Sequence, residues 1–328
     1  MRALVTGGGG FLGRAIVEAL VSERHAVTVV GRQAYPEIVA LGARCLQLDV
    51  SRADLTAAFR GHDVVIHSAA KAGVWGDRAE YLQTNVEGTR NVVAACRGAG
   101  VPRLVYTSSP SVVFDGHDHE SVTERPYPDR YEAAYPETKA AAERQVLAAN
   151  DDSLATVTLR PHLIYGPRDP HLLPRLFARA RAGRLAIVGA GTNRVSVTYV
   201  DNAAAAHVQA ALHLEPGCAF SGRAFFVNDP VPVQLWPWLN ALLERVGLPP
   251  VTRRVPASLA RAAGAAAEGL WWLMRLGGEP PMTRFVAAQL ASSHWYDVTP
   301  AREAFGYAPP VGPEDAVART AEYWSSRV

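Results

Sequence analysis

The stretch "MRALVTGGGGFLG", residues 1–13, sets a short apolar run against four consecutive glycines and then a helical pattern. Glycine loses more backbone freedom on folding than any other residue, so four in a row demand a local reason. Gly7, Gly10 and Gly13 fall at three-residue spacing, after a predicted strand (2–6) and at the opening of a predicted helix (11–22). In that setting the first glycine turns the chain off the strand. The second lets the backbone approach a pyrophosphate, and the third lets helix and strand pack closely. Phe11 and Leu12 lie between the second and third glycines, where the free N–H groups of a helix start attract an anion. Gly8 and Gly9 carry none of these roles and read as the permissive pair.

Outward from this loop, short β-branched runs alternate with longer helical patterns. Strands are predicted at 2–6, 26–31, 44–50, 63–69, 103–109 and 154–161, and helices at 11–22, 51–60, 79–99 and 131–149. Ser51 is taken as the cap of the second helix. The strands are continuously apolar rather than alternating, which suits central parallel strands covered on both faces. The expected fold is therefore α/β, a Rossmann-like doubly wound parallel sheet with a smaller, mostly helical C-terminal lobe. The nucleotide-binding part is placed at 1–160, with later returns at about 195–228. The substrate lobe is placed at 161–328, where proline is dense and strands are few.

Composition narrows the classes further. The 328 residues are 48% apolar, with a formal net charge of +2 and no basic block, so nucleic acid is not an expected partner. Cys45, Cys96 and Cys218 are too widely spaced for a disulfide framework or a metal site and read as small apolar residues in a reducing compartment. The first apolar run is too short for a signal peptide. These features place the chain in the cytoplasm. A helix over 256–277, "LARAAGAAAEGLWWLMRLGG" at its heart, is interrupted by Arg261, Glu268 and Arg275. It reads as a core helix or a wall of an apolar pocket; resting on a membrane surface is the alternative.

Three features specify the chemistry. The second strand ends "VVGRQ", with Gly31 where an acid would hold a free ribose 2′-hydroxyl and Arg32 beside it. A guanidinium there suits a 2′-phosphate, which favours NADP(H) and leaves NAD(H) as the alternative. Asp49 ends the third strand, as a partner for adenine or as a loop cap. Tyr135 and Lys139 lie four apart on a helix and share a face. An ammonium beside a phenol lowers its pKa and fits it to exchange a proton as hydride moves. Ser109, at the end of "VYTSS", can hold the reacting oxygen, with Ser111 as its substitute.

Together "TGGGGFLG", "NVEGT" (85–89), "YTSSPSV", Tyr135-x-x-x-Lys139 and "LRPHLIYGPRDP" resemble the extended short-chain dehydrogenase/reductases, in their 3β-hydroxysteroid dehydrogenase branch. "RPHLIYGPRDPHLLPRL" is similar to sterol-4α-carboxylate 3-dehydrogenases; "AAKAGVWG" and "HWYDVTPAREAFGY" are similar to bacterial 2-alkyl-3-oxoalkanoate reductases. The resemblance implies Tyr135 as acid/base, Lys139 on the nicotinamide ribose and Ser109 on the substrate oxygen. It also implies cofactor contacts from Val50, Ala69, Ala70, Asn85 and Pro161, with Asp201 as a structural acid. The implied reaction interconverts 3-oxo and 3-hydroxy groups on a large apolar skeleton with an adjacent carboxylate. The aromatic-rich stretch with Trp271, Trp272 and Met274 would supply one wall of the pocket, and Arg284 or His162 would meet the carboxylate. A homodimer through the helices at 79–99 and 131–149 is expected. A sugar-nucleotide epimerase or dehydratase of the same superfamily is the alternative.

Overall fold

Each apolar run of the first half becomes a strand of one parallel sheet in the computed structural model, which describes all 328 residues. The strands are β1 (Arg2–Thr6), β2 (Ala26–Gly31), β3 (Arg44–Gln47), β4 (Val64–His67), β5 (Arg103–Thr107), β6 (Ala155–Pro161) and β7 (Arg223–Val227). Their order is β7-β6-β5-β4-β1-β2-β3, every pairing parallel. Val5 of β1 lies between Val29 of β2 and Ile66 of β4. The order of winding reverses between β1 and β4, which opens the crevice where such sheets bind ligands.

Helices α1 (Phe11–Ser22), α2 (Gly88–Ala99), α3 (Ala134–Ala148) and α4 (Val200–His213) cover the two faces. Leu12, Ile16, Val17 and Leu20 of α1 are buried at the helical spacing that an apolar stripe requires. They join a core that also contains Ala203, Ala206 and Ala210 of α4. The opposite face buries Val92 and Cys96 of α2 and Val146 of α3. Both helix α4 and strand β7 come from the second half of the chain.

Two predicted elements differ, and one strand lies outside the predicted set. The helix expected over 79–99 is a short helix (Arg78–Tyr81), a π-helical turn (Leu82–Glu87) and then α2. Only Thr56–Phe59 of the 51–60 prediction is helical. Asp49 and Asp54 accept local N–H groups from Ser51 and Thr56, so turn chemistry outcompetes the helix, and Ser51 is not its cap. Strand β7 was not assigned, because "RAFFV" stands alone in a loop-rich stretch.

The rest of the chain carries further helices and three small sheets, of four, two and two strands. Helix α5 (Ala257–Met274) packs on α6 (Arg284–Ala291) through one narrow stripe, Ala260, Gly264 and Glu268. Gly264 is required there, since a Cβ would lie 2.7 Å from the Thr283 carbonyl carbon. The face of α5 turned to solvent exposes Leu259, Leu270, Trp272, Leu273 and Met274. No helix is long and apolar enough to cross a membrane. The three cysteines are free.

Candidate active site

The glycine loop is held by backbone geometry at both ends. Gly7 has φ +72°, and a Cβ on it would come within 2.8 Å of the Ala69 backbone, so only glycine fits. A Cβ on Gly13 would collide with the Gly7 carbonyl. Gly10 caps α1 with no side-chain hydrogen bond, which leaves the first-turn N–H groups of α1 to a ligand. These features form a cradle that a Cβ would fill, at the N-terminus of a helix, and they fit a dinucleotide phosphate. Gly10 itself is the least crowded of the five loop glycines, with one neighbour, the Gly7 carbonyl oxygen at 3.2 Å. Gly8 and Gly9 are not permissive. A Cβ on Gly8 would press on Val29 at 2.6 Å, and one on Gly9 would collide with the Tyr35 ring.

Around the cradle, most of the other predicted cofactor residues line the ends of β1, β4 and β6. Phe11 and Leu12 form the first turn of α1, and Ala69 and Ala70 follow β4. Asn85 is buried with its amide fully committed. It accepts from Lys71 N (2.7 Å) and donates to Lys71 O and to Thr138 Oγ1 (both 3.1 Å), clamping the loop after β4 onto α3. The π-helical turn that carries Asn85 is where this clamp bends the helix. Val50 is buried, and its carbonyl accepts from Asn91. Asp49 accepts from the Ser51 amide and hydroxyl, the loop-cap alternative. Pro161 ends β6, and Arg32 is exposed after the buried Gly31.

Ser109, Tyr135 and Lys139 converge at the carboxyl end of β5 and the start of α3. Ser109 Oγ accepts hydrogen bonds from Ser111 Oγ (2.9 Å) and Ser111 N (3.2 Å). Ser109 is also a hydrogen-bond partner of Tyr135. Ser111 orients Ser109 rather than replacing it. Burial pushes the Tyr135 phenol above its ordinary value, and a hydrogen bond with Ser109 works the other way. Lys139 donates to the Thr107 carbonyl (2.5 Å) and sits over the Tyr106 ring at 4.2 Å. Burial lowers it to about 7, against the opposing attraction of Glu143. Burial sets the direction for this phenol, and the Lys139 ammonium faces the Thr107 carbonyl.

A buried charge network, missed in the sequence, supports this trio. Glu143 lies one helical turn beyond Lys139, fully buried. It accepts from Arg160 Nη2 (2.5 Å) and Nε (2.9 Å), Tyr127 OH (2.7 Å) and Thr158 Oγ1 (3.2 Å). Burial alone would raise this carboxyl, but Arg160 and the other donors hold it below the usual range. The i, i+4 spacing in "KAAAE" was the available signal. On the other side, His67 bridges Thr6 (2.7 Å) and Thr89 (3.0 Å), and burial takes it down to about 3.

A cleft of about 490 Å³ opens beside Ala133 and Ala134, the residues just before Tyr135. Val74, Trp75, Tyr81 and Trp272 line it, with Arg284 at its wall. The Arg284 backbone N–H and Nε both donate to Glu268 (2.7 Å each), whose carboxylate lines the same cleft, with Glu132 also on its wall. Two predicted substrate residues are not there. Of the predicted aromatic stretch, Trp272 lines the cleft and Trp271 does not; an apolar face all round α5 hides the helical phase. His162 is buried against His294, its Nε2 2.7 Å from His294 Nδ1. Burial and the neighbouring histidines hold it far below the ordinary imidazole value, so it is neutral and unsuited to a carboxylate.

Residues 4–257 match the 3-beta hydroxysteroid dehydrogenase/isomerase family. The chain belongs to this family. Across 97% of its length it is 49% identical to a 2-alkyl-3-oxoalkanoate reductase of Stenotrophomonas maltophilia, covering 98% of that protein. It is 34% identical to the human sterol-4-alpha-carboxylate 3-dehydrogenase, decarboxylating, over 98% of this chain and 87% of the relative. Among solved structures, MoeE5 in complex with UDP-glucose and NAD superposes with a TM-score of 0.74 at 26% identity, over 98% of each chain. The family member described here is an enzyme of the oxidoreductase class, with the parallel sheet expected of that class.

Proposed function

We propose that the protein is a nicotinamide-dependent oxidoreductase that interconverts a 3-oxo and a 3-hydroxy group on a large apolar substrate bearing an adjacent carboxylate. The observation that carries this reading is Arg284 on the wall of a cleft rich in apolar residues that opens beside Ala133 and Ala134, just before Tyr135. Apolar walls suit an alkyl or sterol skeleton, and the half-exposed Arg284 guanidinium, shared with Glu268, supplies the cation for a substrate carboxylate. The 2-alkyl-3-oxoalkanoate and sterol 4-carboxylate classes named for its relatives both have this form.

The dinucleotide would supply or accept the hydride, held at the glycine loop and the first turn of α1. The chain's own part is proton transfer and positioning. Ser109 donates its O–H to the substrate oxygen, in the orientation that Ser111 imposes. Tyr135, held above the usual phenol value by burial, is protonated at neutral pH. Tyr135 is thereby placed to exchange a proton with the substrate oxygen as hydride moves. Lys139, fixed between Thr107 and Tyr106, stands one turn along α3 to bind ribose hydroxyls. Gly31 and the exposed Arg32 favour NADP(H), although MoeE5 was solved with NAD.

Tyr135→Phe removes the proton and keeps the ring. Turnover should fall by about 10²–10⁴, with cofactor affinity within twofold of the parent. Near-parental turnover would overturn the mechanism. The solved epimerase neighbours keep a sugar-nucleotide reading in view, and the tryptophan-rich cleft argues against it. A net change in cofactor absorbance on turnover separates the two, because an epimerase returns its hydride.

A further inference from the structure

The two glycines that the phosphate cradle does not explain, Gly9 and Gly31, share one neighbour. A Cβ on Gly9 would collide with one edge of the Tyr35 ring, at Cε1 and Cδ1. A Cβ on Gly31 would lie 2.5 Å from Cε2 on the other edge and 2.9 Å from the phenol oxygen. The ring is thus wedged between the tip of the glycine loop and the end of β2. Neither position could carry a side chain while it stays there. This notch lies outside the carboxyl ends of β1 and β2, in the crevice where doubly wound sheets receive their ligands. Gly31 occupies the position whose side chain would ordinarily face a ribose hydroxyl.

The backbone of Tyr35 is anchored, whereas the ring is held only by packing. Its carbonyl accepts from Ile38 N (3.0 Å) and Val39 N (3.1 Å), and Pro36 follows it directly as the first residue of a short helix. Motion of the ring is therefore a side-chain rotation about the Cα–Cβ bond, with no loop rearrangement. Arg32, Gln33 and Ala34 beside it are exposed, so an outward-turned ring enters solvent.

We propose that Tyr35 is a gate over the adenosine end of the cofactor site: its ring fills the ribose notch in the free protein and must rotate out before the ligand can seat. This rests on the dinucleotide reading of the glycine loop. A ligand that binds only the open form has its apparent affinity reduced by the open fraction, so removing the ring should tighten binding. The gate acts on any adenosine ligand, whereas Arg32 would act only on one bearing a 2′-phosphate.

The test is calorimetric titration of the full chain with 5′-AMP, 2′,5′-ADP and nicotinamide mononucleotide. Tyr35→Ala should bind both adenosine ligands about tenfold more tightly, as for an open fraction near a tenth, and nicotinamide mononucleotide unchanged. Tyr35→Phe keeps the ring and should stay within twofold of the parent. Arg32→Ala should weaken 2′,5′-ADP alone. Unchanged or weakened adenosine binding in Tyr35→Ala, with a parental unfolding midpoint, overturns the gate and leaves the dinucleotide site standing. A parent that binds neither adenosine ligand nor NADPH overturns both.

Discussion

The nucleotide half and the α5 helix distribute polarity in opposite ways. The first buries charge: Lys139, Glu143 and Arg160 all lie inside, with the neutral His67 and His207 around them. The second exposes oil: Leu270, Trp272, Leu273 and Met274 all face outward at the tip of α5. Buried charge persists only when every partner is in place, so the inside of the first half has one permitted arrangement. Exposed apolar surface specifies nothing about the fold, and its use has to be found in binding. Trp272 makes the connection, because it is both 78% exposed and part of the cleft wall. Under the proposed function, placement of the reacting groups and accommodation of a bulky substrate fall to different regions.

The sharpest way to break that contrast is at Glu143. Glu143→Ala strands Arg160 in the core and should lower unfolding stability by about 3–5 kcal/mol, read by urea titration. A loss below about 1 kcal/mol would mean that Arg160 finds another partner and the arrangement is not unique.

A smaller effect is expected at Lys139, and it depends on pH. Its folded value, about 7, lies below the ordinary lysine value of 10.5. Between those two values the unfolded chain holds a proton that the folded chain has released, so stability from this group rises with pH over that window. Below about pH 7 both states are protonated and the cost of burying the ammonium is fully present. Lys139→Met should flatten the rise between pH 7 and 10 while leaving the slope below pH 6 unchanged. A parental slope in the variant would place the titration elsewhere.

The smallest effect on folding is predicted at the helix tip. Trp272→Ala should change stability by less than about 0.5 kcal/mol. The same change should raise KM about fivefold for long-chain substrates, roughly 1 kcal/mol of lost apolar contact, and leave a short-chain analogue unaffected. Equal effects on both chain lengths would detach Trp272 from the cleft.

The contrast also explains what the sequence could show. Continuous runs such as "AVTVVG" declare a covered parallel strand, and the glycine loop declares its own place after β1. Ser109, Tyr135 and Lys139 were legible because strand ends and helical spacing place them. Glu143 and Arg160 were not, since a charged residue in a sequence is read as surface until its partner is known. Strand β7 was hidden because its partner β6 lies more than sixty residues earlier. The break at Leu82–Glu87 was hidden because it depends on Asn85 reaching a loop backbone, a contact with no local signature. Gly9 and Gly31 were visible as letters, but Tyr35 as their common cause needed three dimensions.

The position of β7 carries a consequence for how the chain is made. It covers the flank of β6, which is buried along its whole length, yet it is the last of the seven strands to leave the ribosome. Until residue 227 has emerged, the apolar edge of β6 stands open, a template for pairing with a neighbouring nascent chain. A fragment ending near residue 160 would keep that edge open permanently. Expressed alone, it should assemble or precipitate where the whole chain does not.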